Sequence, residues 1–330
     1  MAAASFAVLS SAAGATLVDA SSRNGEIAFI RKSNFYGEGV LHAVDPSTRK
    51  VRRLLKSGWI RDADWSPDGK RLAIVDKCAI KIMPAAGGRL RTILRPRKTS
   101  GSDGSQGTEC YATLDWSPDG RELVFARCGD PSCESGPGPV LYTVGTSGRG
   151  LRQLTQRDCV VGRVYSCLYV GDYLPSWSPD GEKILFQRLD VSLPDPPHGN
   201  WANNARLYVV NPDGSGLERL PPEQARSPEW SPDGSRIAFT RIVWTTLPPG
   251  AISTASLVVV NPDGSGEKTL VQGDSQAGCS GWAQVWAPDA SKLAYSGPCP
   301  RGIYTMTPDG SDRVRLTLGK DRLVSWRPLP

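Results

Sequence analysis

The chain has 330 residues, 39% of them hydrophobic and 22% charged, and Lys plus Arg exceed Asp plus Glu by six. That balance excludes a membrane bundle and a disordered chain, and two histidines leave little room for histidine-based metal or general-base chemistry. The cations are spread, densest at Arg95 to Lys98. That cluster reads as solvated loop, and no nucleic-acid partner is expected.

Residues 2–20, AAASFAVLSSAAGATLVDA, contain no Lys or Arg. The run is apolar but built on alanine, too weak for a membrane span. It has the apolar part and small-residue cleavage candidates of a secretory signal, without a preceding basic residue. Residues 1–22 are expected to be a signal peptide or a disordered leader, and 23–330 a single domain.

Glycine (35) and proline (27) make nearly a fifth of the chain, which predicts many short strands joined by turns. Residues 24–31, NGEIAFIR, match the second half of a segment that recurs downstream. It reads DWSPDGKRLAIV from Asp64, DWSPDGRELVFAR from Asp115, SWSPDGEKILFQR from Ser176, EWSPDGSRIAFTR from Glu229 and VWAPDASKLAYSG from Val285. The tryptophans are spaced 51, 61, 53 and 56 residues apart, a period that predicts propeller blades. Each unit reads as four strands. The tryptophan ends strand a, and SPDG turns the chain, with Pro fixing φ and Gly taking φ > 0. Strand b follows, then strand c (LYVV from Leu207, LVVV from Leu257) into an NPDG turn, then a short strand d. In the last full unit Ala290 stands where the turn needs glycine, at a cost of about 1 kcal/mol if φ stays positive.

Residues 325–330, SWRPLP, match the first half of the repeat. The C-terminal strand is therefore expected to supply strand a of the N-terminal blade. The expected fold is an all-β, six-bladed β-propeller of four antiparallel strands per blade, closed without a free edge. The WSPDG repeat with its NPDGSG hairpins resembles the TolB-like β-propeller repeat over residues 24–330. TolB carries an α/β domain before its propeller; with 22 residues ahead of blade 1, that domain is not expected here. TolB-like propellers are protein-binding parts of envelope assemblies, so the resemblance implies a binding role.

The a–b and c–d turns share one face of such a ring and are short. The other face receives the long connections, near 96–112, 128–139, 156–174, 189–205, 242–255 and 272–283, where binding residues collect. All eight cysteines map there: Cys78, Cys110, Cys128, Cys133, Cys159, Cys167, Cys279 and Cys299. That density favours an oxidising compartment. Cys110–Cys128 and Cys279–Cys299 would each join the start of strand a to the end of strand b, and Cys159–Cys167 would staple one loop. The rival arrangement is Cys78–Cys110 with Cys128–Cys133.

Six tryptophans belong to the repeat and to the core. Trp59, Trp201, Trp244 and Trp282 fall in or beside the long loops, with Tyr36, Tyr111, Tyr165, Tyr169 and Tyr173. Amphipathic aromatics there suit a recognition surface. Arg31, Arg127, Arg188 and Arg241 each end a strand b. They either form a cationic arc or pair with Asp64, Asp115 or Glu229. His42 reads as structural, and His198 with Asp190 and Asp195 as loop. No nucleophile, zinc or phosphate-loop motif is present, and no cofactor is expected. The leading expectation is a monomeric, non-catalytic, secreted or envelope-associated propeller that binds a protein. A carbohydrate binder or secreted hydrolase or lyase working at the channel mouth is the alternative. Clustered carboxylates lining that mouth would favour the alternative.

Overall fold

The computed structural model describes residues 23–32, 39–55, 57, 59–100, 106–129, 138–156, 171–189, 204–247, 250–272, 283–298, 301–319 and 321–329. Blade 1 holds β1 (Arg23–Lys32), β2 (Gly39–Val44) and β3 (Val51–Leu55). Blade 2 holds β4 (Ile60–Trp65), β5 (Arg71–Asp76), β6 (Ala79–Pro84) and β7 (Arg91–Leu94). A small ribbon of β8 (Lys98–Ser100) and β9 (Gln106–Thr108) precedes blade 3, which holds β10 (Cys110–Trp116), β11 (Glu122–Cys128), β12 (Val140–Gly145) and β13 (Arg152–Gln153). Blade 4 holds β14 (Asp172–Trp177), β15 (Ile184–Leu189), β16 (Ala205–Val210) and β17 (Glu218–Glu223). Blade 5 holds β18 (Ala225–Trp230), β19 (Ile237–Leu247), β20 (Gly250–Val260) and β21 (Lys268–Gln272). Blade 6 holds β22 (Gln284–Trp286), β23 (Leu293–Pro298), β24 (Arg301–Met306) and β25 (Val314–Arg315).

The last strand, β26 (Asp321–Leu329), pairs antiparallel with β1, with Trp326 opposite Ile27, and completes blade 1. The expected closure is observed, and all six blades are four-stranded and antiparallel. Where two turns meet at the seam, Gly69 (φ +64°) leaves no room for a side chain: a Cβ would lie 2.0 Å from the Pro328 carbonyl oxygen.

Period-two alternation gives each blade two apolar faces, and each face buries against the next blade. Among the described residues six apolar clusters form, each drawn from two consecutive blades. Phe29, Phe125, Phe186 and Phe239 fill the same place in four strands b and are fully buried. Five repeat tryptophans are buried, and Trp230 is partly so.

The SPDG turn keeps its chemistry in four blades. In blade 2, Gly69 N–H donates to the Ser66 carbonyl (2.7 Å), Arg71 N–H donates to Ser66 Oγ (2.9 Å), and Lys70 N–H donates to Asp68 (3.0 Å). Ala290 does not relax out of this geometry: its φ is 57° and its N–H donates to the Ala287 carbonyl at 2.8 Å.

One connection differs from expectation. The segment 242–255 is strand rather than loop, because β19 and β20 stay paired from Ile242↔Ala255 out to Leu247↔Gly250. The neighbouring strands stop earlier, β18 at Ala225↔Arg241 and β21 at Ser256↔Gln272, so the hairpin continues past its sheet as a ribbon. Its β-branched content (Ile242, Val243, Thr245, Thr246, Ile252, Thr254) explains the continued pairing. In blade 2 the corresponding connection is only the turn at Lys77 and Cys78, both at positive φ.

Candidate functional site

The innermost strand of each blade lines a central channel of about 750 Å³. One mouth is collared by the prolines of the a–b turns, Pro67, Pro118, Pro179, Pro232, Pro288 and Pro328. Inside lie Asp62, Asp64, Asp115, Ser176 and Glu229, with Arg322 from the closing strand.

A single rule places the polar groups. The residue before each repeat tryptophan reaches forward and accepts the backbone N–H of the next blade's tryptophan. Trp116 N–H donates to Asp64 Oδ2 (3.1 Å), and Trp177 N–H to Asp115 Oδ2 (2.6 Å). Trp230 N–H donates to Ser176 Oγ and Trp286 N–H to Glu229 Oε1, both at 3.2 Å. Across the seam, Trp65 N–H donates to Ser325 Oγ (3.2 Å), whose hydroxyl donates to Asp64 Oδ1 (2.5 Å). The sixth position is Val285, which has no acceptor to offer. One step earlier along the strand, Leu114 N–H donates to Asp62 Oδ2 (3.0 Å), and Leu174 N–H donates to Thr113 Oγ1 (3.1 Å). Strand irregularities just before these sites turn the backbone toward the preceding blade.

The carboxylates are half-exposed or less by area, yet the space they face is enclosed by six strands, and desolvation dominates their ionisation. Burial pushes the Asp62 carboxyl up to about 6, against the partial opposition of Arg322. Burial also raises Asp64 and Glu229, the latter strongly. Asp115 is raised well above the carboxylate range, first by burial and then by the charge of Asp64, to which it hydrogen bonds. Among the described residues, no group of three or more His, Cys, Asp or Glu is arranged to hold a metal ion.

The arginines that end strands b pair with other acids than those expected. Arg31 forms a two-point ion pair with Asp321 (2.8 and 2.9 Å) and Arg188 one with Asp172 (2.6 and 2.9 Å). Arg127 pairs with Glu109, and Arg241 with both oxygens of Glu267. Asp64, Asp115 and Glu229 are turned into the channel instead. Each arginine also lies over an aromatic ring, Arg127 over Tyr142 at 4.8 Å for example.

On the loop-bearing face Trp59 is 53% exposed. Trp244 lies in the ribbon, its backbone opposite Ser253. Tyr173 is half-buried in β14. Tyr111 is core rather than rim: it is buried and its hydroxyl donates to the Arg95 carbonyl (3.1 Å). His42 is stacked on Phe29, its Nδ1 2.9 Å from the Val40 carbonyl. Tyr36, Tyr165, Tyr169, Trp201, Trp282, His198, Asp190 and Asp195 lie outside the described residues.

Cys78 and Cys110 form a disulfide, so the pairing of Cys110 with Cys128 is replaced by the rival one at this position. Cys110 and Cys128 do stand opposite each other in register, but Cys78 in its tight turn reaches the start of β10 from blade 2. The bridge therefore joins two blades. Cys128 is itself disulfide-bonded; Cys133, Cys159, Cys167, Cys279 and Cys299 lie outside the described residues.

Comparison with solved structures finds TolB from Acinetobacter baumannii, with TM-score 0.63 and 18% identity over 92% of this chain. The chain has the propeller fold of TolB. It spans 66% of the length of that TolB. The same fold is shared with an oligogalacturonate lyase in complex with manganese (TM-score 0.53, 16% identity, 91% of this chain and 74% of that one). In sequence, an uncharacterized protein of Agrobacterium fabrum is 28% identical over 252 residues, covering 62% of this chain and 78% of that protein. No family model matches the sequence. Fold alone does not choose between a binding protein and an enzyme.

Proposed function

We propose that the chain is an extracytoplasmic, non-catalytic propeller that binds a protein partner through its loop-bearing face. The observation that carries this reading is the β19–β20 ribbon, which leaves its blade on that face and has no charged residue from Ile242 to Ser256. An uncharged, β-branched ribbon held out from a rigid ring, with Trp59 exposed on the same face, suits burial against a partner. The Cys78–Cys110 bridge and the signal-like residues 2–20 support an oxidising compartment. The propeller fold shared with TolB supports an envelope role.

The channel carboxylates support the alternative, a catalytic or sugar-binding channel, less well. Asp64, Asp115 and Glu229 are each engaged by the N–H of a neighbouring blade, which makes them part of the ring's fastening.

One experiment tests the interface. A variant with residues 243–254 replaced by Asn-Gly, the length of the blade 2 turn, is compared with the full propeller in pull-down. It should keep its melting temperature and lose the partner, and Trp59→Ala should weaken binding by about 2 kcal/mol if Trp59 is an anchor. Unchanged binding in both variants, with loss on charge reversal at Asp213 and Asp263, would place the interface on the opposite face.

A further inference from the structure

The outer strand of each blade is an edge, and edges are commonly protected by charge. The charge on these edges is unevenly divided. In blade 1, Arg49, Lys50, Arg52 and Arg53 are all exposed on β3 and the turn that leads into it. In blade 2, Arg89, Arg91, Arg95, Arg97 and Lys98 are exposed on and around β7. Blade 3 adds Arg149 and Arg152. Over this half of the rim the acids among the described residues are few: Asp45, spent in its own turn with Ser47 and Thr48, Glu26, which pairs with Arg52, and the half-buried Glu122 at the same place in blade 3.

These cations form one belt because the blades interlock at the rim. The c–d turn of each blade sits against strand d of the blade before it. Leu54 and Leu55 of β3 pack in one cluster with Ala85 and Leu90, which brings Arg89 beside blade 1. Arg91 donates to the Thr146 carbonyl (2.7 Å), and Gly148 lies against the Ile93 carbonyl, which brings Arg149 beside β7. The belt ends at blade 4, where Gly214 lies against the Leu154 carbonyl and Asp213 meets the charge of Arg152.

Beyond that point the edges carry both signs: Glu218 beside Arg219, Glu267 beside Lys268, and Asp312 beside Arg313. Those three edges carry charge of both signs, which also serves to protect an edge. The one-sided excess on blades 1 to 3 needs another reason. We infer that the continuous arginine-rich rim of blades 1–3 is a docking surface for a linear anionic polysaccharide, separate from the β19–β20 ribbon and from the channel. A flexible chain of repeated negative charges can follow a curved edge, and guanidinium forks match its carboxylate or sulfate groups. The disulfide, which belongs to oxidising compartments, favours a glycan over nucleic acid as the polyanion encountered there.

Heparin is the probe, with neutral dextran and a single-stranded oligonucleotide of matched charge as comparators. Heparin should bind at low salt, weaken steeply as salt rises, and be unaffected by dextran. The variant Arg53→Glu, Arg97→Glu, Arg149→Glu should lose roughly a hundredfold in affinity. The variant Arg219→Glu, Lys268→Glu, Arg313→Glu, with the same change in net charge on the other half of the rim, should lose less than about tenfold. The single reversals Arg53→Glu and Arg97→Glu should each weaken binding and give the same ranking if a triple variant fails to fold. The inference is overturned if heparin does not bind, if both triple variants lose affinity equally, or if the oligonucleotide binds more tightly than heparin.

Discussion

Asp115 and Glu229 perform one task in different blades: each holds the tryptophan N–H of the blade that follows. The cost is a carboxyl kept out of bulk water, and its sign sets the response to pH. A folded-state value above the unfolded one means that the folded protein binds more protons, so this contribution is fully present below the unfolded value and is lost as pH rises. For Asp62 the window runs from 3.8 to about 6; Asp115 and Glu229 extend it upward. Asp45 and Asp309 work in the opposite sense, because hydroxyl and backbone donors hold them below the usual range, and their contribution is lost toward strong acid. The melting temperature should therefore peak on the acid side of neutrality and decline toward pH 8. Asp115→Asn keeps an oxygen for the Trp177 N–H and removes the charge. In a thermal melt series it should flatten that decline and gain about 2–4 °C at pH 8. Asp115→Ala leaves that N–H unsatisfied and should lose about 1–3 kcal/mol in denaturant melts. The ring of acceptors was hard to read in sequence because its members are Asp, Asp, Ser, Glu and Ser, interrupted by Val285 and united by position rather than by type. Ala290 was legible, since the turn names its own glycine. Ala290→Gly should raise stability by about 0.5–1 kcal/mol, measured by the same melts.

At the level of the strand and the turn, the repeat declared itself because Pro-Asp-Gly chemistry is local. Five short sequences each carry enough to fix a tryptophan, a turn and a strand, and the sixth is divided between residues 325–330 and 24–31. The disulfide was less legible, because register correctly brings Cys110 and Cys128 opposite each other while the partner that bonds Cys110 comes from another blade. Spacing along one hairpin cannot report how two blades lean together. With 32 residues between its ends, the bridge should contribute about 3–4 kcal/mol. Cys78→Ser with Cys110→Ser should lower the denaturant midpoint accordingly, and peptide mapping of oxidised protein should recover Cys78 linked to Cys110. The β19–β20 ribbon was not legible for a different reason: the length of the connection suggested a loop, whereas its β-branched residues keep the two strands paired.

The ring as a whole is held at one seam by more than strand pairing. Arg31 grips Asp321, Arg327 donates to the Gly69 carbonyl (2.9 Å), Trp326 Nε1 donates to the Gly25 carbonyl (3.0 Å), and Asn24 reaches Asp289 in blade 6 (2.9 Å). Removing residues 321–330 takes away all but the last of these and opens the edge of β1. That variant should melt well below the full chain and become open to proteolysis within blade 1. The half-unit at each end made this closure legible, since a ring of identical parts has nowhere else to put them. The seam also has a consequence for biogenesis. Arg31 and Asp321 are 290 residues apart, so β1 leaves the ribosome long before its partner exists. Bringing such distant segments together carries an entropy cost of about 5 kcal/mol, and it falls only once β26 has been made. Until then the nascent chain carries an unfilled slot where β26 will sit. A chain released before β26 cannot fill that slot, and the slot itself distinguishes an open ring from a closed one.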